Sequence, residues 1–189
     1  MMIDNVNDGT VCGVAHHEAA HIVIACALGL AIGEKGMKVS VRSPDPTGEA
    51  HFEGATLGTE VVPSRVDNVV IALLAGGIAH RHFPGNVNAA VLIDQERIAE
   101  LLGADCFTSP GLQARLALLK SQAEELVDRH WPMIEKVATA ICRKDWAYRY
   151  PSNSFFREKA MSGDDLRSML YPMPFWWIPQ LSEQTSFCI

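Results

Sequence analysis

Val11-Cys12-Gly13-Val14-Ala15-His16-His17-Glu18-Ala19-Ala20-His21-Ile22-Val23-Ile24-Ala25-Cys26-Ala27-Leu28 is the stretch whose reading decides the fold. Apolar residues recur in it at helical spacing, and neither Pro nor Gly occurs between His16 and Ala27. Gly29 and Gly33 then offer ways to stop, so a helix is predicted from near Val11 to Leu28. The four residues after His21 are apolar, which predicts a buried helix. A buried histidine cluster is costly unless a metal or an acidic group partners it.

His17 and His21 stand at i and i+4, one turn apart on the same helix face. Two imidazoles so placed can reach one zinc ion at about 2.0–2.1 Å. Glu18 follows the first of them, where its longer side chain can act on a water beside the metal as general base. This is the H-E-x-x-H pattern of zinc metallopeptidases. The bland alternative is a set of histidines on a helix with no metal. His16 is expected off the metal-facing side, next to the site or at the surface. A catalytic site needs a third protein ligand. By residue type Asp67, His80, His82, Asp94, Glu96 and Glu100 all qualify, and nothing in their composition chooses among them.

The rest of the chain bounds the class. With 48% hydrophobic and 20% charged residues in 189, it can bury one substantial core, which argues against disorder. Net charge is −6 and no stretch concentrates Lys and Arg, so nucleic acid has no electrostatic footprint to bind. The five cysteines, Cys12, Cys26, Cys106, Cys142 and Cys188, are scattered and form no C-x-x-C pair, which suits a reducing compartment. Met1 to Thr10 is polar, unlike a signal peptide. The longest apolar run, Ile22 to Ile32, is far short of the about 20 residues a bilayer requires. The expectation is a cytoplasmic protein without membrane insertion.

Lys38 to Arg42 alternates polar and apolar as a half-buried strand does, Pro44 to Gly48 reads as a turn, and Glu49 to Glu53 as a returning strand. A second helix is expected from Ser64, as its cap, to His82, and a third over 88–102. Ser109-Pro110 starts another, through Arg129, with Pro132 starting or kinking one that runs to Lys144. Residues 145–160 read as irregular, and Ser162 as the cap of a last short helix to Leu170. The expected architecture is a mainly α (α+β) domain over 1–170 with a small β-hairpin insert, followed by a Pro/aromatic tail, 171–189. That tail carries Pro172, Pro174, Phe175, Trp176, Trp177 and Ile178, which pack on the core, cross the cleft, or hold a protein partner.

Ala15 to His21 resembles the zinc-site helix of the FtsH ATP-dependent zinc proteases, commonly H-E-A-G-H. Ile71 to Ala79 is similar to that family's glycine-containing second helix, and Leu92-Ile93-Asp94-Gln95-Glu96-Arg97-Ile98-Ala99 to the segment supplying its third ligand. His130 to Ala138 and Met161 to Leu166 are similar to its closing helices, so the likeness covers about residues 11–170. The resemblance implies a helical zincin-like peptidase domain with Zn2+ on His17, His21 and Asp94, and Glu18 as base. It further implies that Lys38, Val39, Ser40, Val41 and Arg42 form an edge strand that pairs with extended substrate. The sequence departs from the family at Ala20, where glycine is usual, and before Asp94, where asparagine is usual. It also contains no G-x-x-x-x-G-K-[ST] loop, so the implied substrate is a polypeptide already unfolded, flexible or delivered. A peptide-binding or regulatory module on the same fold is the non-enzymatic alternative. Among enzymes, the small H-E-x-x-H proteins that cleave transcriptional repressors are the nearest rival.

Overall fold

The computed structural model describes residues 8–42, 45–82, 88–149 and 156–171. They form α1 (Asp8–Ala27), β1 (Ile32–Arg42), β2 (Asp45–Phe52), a 3-10 turn (Pro63–Arg65) and α2 (Val66–Ala79). Then follow α3 (Asn88–Leu102), α4 (Pro110–Cys142), β3 (Ala147–Arg149), β4 (Phe156–Met161) and α5 (Gly163–Leu170). The fold is mainly helical with one small antiparallel sheet, as the sequence led us to expect. No helix among the described residues is long and apolar enough to cross a membrane. The aromatic tail expected to pack or bind lies outside the described residues, apart from an exposed Tyr171.

Helix α1 is the centre of the molecule. From Val11 to Ala25 every residue except Cys12 is buried, as a helix apolar on all sides must be. Helices α2 and α4 and the strands β1 and β2 pack around it. Its end follows from Gly29, which takes φ 72°. There the Leu30 N–H reaches the Ala25 carbonyl at 2.9 Å and the Gly29 N–H the Cys26 carbonyl at 3.0 Å. This double closure satisfies carbonyls the helix would otherwise leave bare.

The sheet has the order β2-β1-β4-β3, and it corrects two expectations. Residues 45–48, read as a turn, belong to β2, where Pro46 faces Val41. A proline is tolerated there because β2 is an outer strand. Lys38 to Arg42, expected as the open edge, instead lies in the middle of the sheet. Val39 pairs with Gly48 on β2 and with Lys159 on β4, and Lys38, Ser40 and Val41 are likewise paired on both sides. The second partner, β4, comes from the segment read as irregular. Its sequence Phe156-Arg157-Glu158-Lys159-Ala160-Met161 carries almost no apolar alternation to announce a strand.

The helices differ in smaller ways. Ser64 sits within the 3-10 turn rather than capping, and α2 starts at Val66 without a side-chain cap. The helix expected to break near Pro132 runs unbroken as α4 with the proline inside it. The last helix is capped as predicted: the Ser162 hydroxyl accepts from the Asp165 N–H at 3.1 Å.

Candidate metal centre

The burial of α1 that its sequence demands carries His17, Glu18 and His21 into the interior, none more than 3% exposed. The i, i+4 spacing then brings the two imidazoles together, with Nε2 atoms 3.0 Å apart. Asp94, in the second turn of α3, completes a triangle: its Oδ2 lies 3.2 Å from His17 Nε2 and 3.3 Å from His21 Nε2. For metal–ligand bonds of 2.0–2.1 Å, a tetrahedral ion separates its ligand atoms by about 3.3 Å. The three atoms therefore already stand at the spacing one ion requires.

Two further observations favour a cation at this point. Asp94 Oδ2 is buried and, despite its two close nitrogens, is aligned for no hydrogen bond. The three atoms face one another around a common point. His21 Nδ1 donates to the Ala72 carbonyl at 2.8 Å, which fixes the ring with its Nε2 turned toward His17 and Asp94. Phe52 stacks on the same ring with centroids 6.2 Å apart.

The electrostatics agree. Burial drives the His17 imidazole down to about 4 in spite of Asp94. Burial acts the same way on His21, but the Asp94 charge and contact outweigh it and raise that imidazole to about 9. Burial alone would raise the Asp94 carboxyl, yet the charged His21 and the contacts with both rings hold it down near 2. The cluster thus keeps an ionised carboxylate beside one positive charge. A divalent cation supplies that charge without the proton.

Two glycines make the room. A methyl group on Gly76 of α2 would overlap the His21 and His17 rings, and one on Gly48 of β2 would overlap the Glu18 carboxyl group. Glu18 lines a cleft of about 190 Å³ with the three ligands, Gly48, Ala50 and Thr56. Burial pushes its carboxyl up to about 8, assisted by Asp94 and Glu49 and opposed by His21.

The other ligand candidates lie elsewhere. Asp67 accepts from Arg115 at 2.6 Å, His82 pairs with Asp128 at 2.8 Å, and Glu96 is exposed. Glu100 accepts from the Gly58 N–H at 2.9 Å and pairs with Arg97. His80 comes close without joining: its ring meets His17 edge-on at 5.4 Å, and His17 Nδ1 and His80 Nε2 are both buried with no hydrogen bond. His16 is buried, its Nδ1 donating to the Cys12 carbonyl at 2.7 Å and its ring stacked on Trp131.

One positioning residue gave no signal in the sequence. Arg97, 1% exposed, donates to the Gly54 and Thr59 carbonyls at 2.8 Å and pairs with Glu100 at 2.7 Å. It fastens α3, one turn beyond Asp94, to the loop that follows β2 and contributes Ala55 and Thr56 to the cleft. Lys38 to Val41 are not part of the cleft lining among the described residues, whereas residues 48–52 of β2 are. Compared with known proteins, the sequence matches no family model and no curated protein.

Proposed function

We propose that the chain is a zinc-dependent metallopeptidase that hydrolyses unfolded or flexible polypeptide, on a zincin-like domain akin to that of the FtsH-type zinc proteases. The observation that carries this reading is the triangle of His17 Nε2, His21 Nε2 and Asp94 Oδ2 at 3.0–3.3 Å, with the Glu18 carboxyl in the same cleft. Two imidazoles and one carboxylate are a donor set that suits zinc and leaves a position open. When bound, zinc supplies a Lewis acid and lowers the pKa of a water.

The chain's own residues do the rest. His17, His21 and Asp94 hold the ion, and the Ala72 carbonyl keeps His21 in its binding orientation. Glu18 takes a proton from the attacking water and returns it to the departing amine. In place of β1, the outer strand β2 offers the edge for strand addition, with Gly48 facing Glu18.

Metal analysis of the purified protein, paired with a fluorogenic unstructured polypeptide, tests the proposal. We expect about one zinc per chain, lost in His21→Ala and in Asp94→Ala. Glu18→Gln should keep the zinc and lose 10²-fold or more of the hydrolysis, the order a general base contributes. Wild-type protein without metal sinks the site, and cleavage that survives Glu18→Gln removes the base. Zinc without cleavage leaves the peptide-binding module as the better reading.

A further inference from the structure

Cys12 lies in the first turns of α1, and Cys142 is the last residue of α4. They stand 130 residues apart in sequence, yet the Cys142 thiol donates to Cys12 across an Sγ–Sγ distance of 3.4 Å. Neither is in a disulfide and both side chains are partly exposed. The two helices that carry them pack directly against each other, so the pair is held by the core and not by a mobile loop. A disulfide places its sulfurs about 2.05 Å apart. From 3.4 Å the two sulfurs need to approach by only about 1.4 Å to bond.

The surroundings favour this pair over the other described thiols. Lys159 on β4 donates its ammonium to the Cys142 carbonyl and rests over the Trp146 ring at 4.7 Å. Burial holds the Cys26 and Cys106 thiols above their ordinary range, and among the described residues neither has another thiol against it.

We propose that Cys12 and Cys142 are a modification site: a thiol pair that a peroxide-class oxidant converts to an intrachain disulfide, stapling the start of the metal-bearing helix to the end of α4. One thiolate attacks the peroxide, its sulfur is oxidised by two electrons to the sulfenic acid, and the O–O bond breaks with release of hydroxide. The second thiol then attacks the sulfenic sulfur, forming the S–S bond and releasing water. In sum, two thiols and one hydrogen peroxide give one disulfide and two waters. The site does not depend on the peptidase reading.

The test treats the full chain with equimolar hydrogen peroxide, digests it without reduction and maps linked peptides by mass. We expect a Cys12–Cys142 link within a monomer, two thiols lost per chain, and a Tm raised by roughly 5–15 °C, reversed by dithiothreitol. Cys12→Ser and Cys142→Ser should each abolish the link and the shift, and alanine replaces serine where folding suffers. A link to Cys26, Cys106 or Cys188, a link between chains, a sulfinic acid without a link, or an unchanged thiol count overturns the proposal.

Discussion

Alanine at position 76 would set a methyl group into the rings of His17 and His21. In an isolated helix Gly→Ala is stabilising by about 1 kcal/mol, so propensity and site pull in opposite directions here. The overlap involves two buried rings with nowhere to retreat, and it wins. Gly76→Ala should lower zinc affinity at least tenfold while the helix content is kept, as zinc titration with circular dichroism would show. Gly48→Ala strikes Glu18 instead. Zinc should then stay bound while hydrolysis falls, and a Gly48→Ala protein that loses its metal would show that Glu18 and the ligands do not separate this way. The His17-Glu18-His21 spacing was legible because a single helix turn dictates it. Asp94 could be chosen only through the family resemblance, since five other residues had the right chemistry. Gly76 and Gly48 were not legible at all: their role is an absence of atoms at a point where three elements meet. His80 likewise stood among the ligand candidates by type, and only the fold shows it beside His17 rather than in the triangle.

Elements were readable where their periodicity is strong and opaque where the partner supplies the order. α1 and α3 announce themselves by apolar spacing, and α5 by Ser162 with acidic residues in its first turn. β4 does not, because its alternating charges reveal a face only once β1 lies against it. The same missing strand turned β1 from edge to centre, so one unreadable element displaced the expected substrate edge to β2. α4 shows the reverse error, a breaker overridden by packing. Pro132 lacks the N–H that the Asp128 carbonyl would accept, yet Val127, Ile134, Val137 and Ala138 on either side are buried and keep the helix continuous. Since Pro132 itself is exposed, Pro132→Ala should stabilise the protein by about 1–3 kcal/mol. A higher urea midpoint is the expected reading, and a lower one means that the bend serves the core. Arg97 predicts the opposite sign. Its removal strands the Gly54 and Thr59 carbonyls and loosens α3 from the cleft loop. Arg97→Met should destabilise by about 3 kcal/mol and weaken zinc binding through the displaced Asp94. Unaltered zinc affinity in a destabilised Arg97→Met would confine the residue to a purely structural role.

Across the whole molecule, the three ligands connect parts of unequal security. His17 and His21 ride on the most enclosed helix of the fold, while Asp94 rides on α3, which rests mainly against α2 and leaves Leu92 and Ile93 exposed. Arg97 and the converging ligands are what draw α3 toward α1. An ion bound there would clasp the core to α3, and without one Asp94 Oδ2 is buried beside two imidazoles with no hydrogen bond. A ligand present at 1,000 times its Kd adds about 4 kcal/mol to the folded state. In a chain of this size each kcal/mol moves Tm by about 2–4 °C, so chelation should lower Tm by roughly 10 °C. The loss should also be uneven. Hydrogen exchange in the chelated protein should accelerate over 88–102 first, with α1 protected until global unfolding, because α1 is enclosed by α2, α4 and the sheet whether or not metal is bound. Uniform acceleration across α1 and α3 would mean that the metal is part of the core's own stability, and that the fold does not outlast the site it carries.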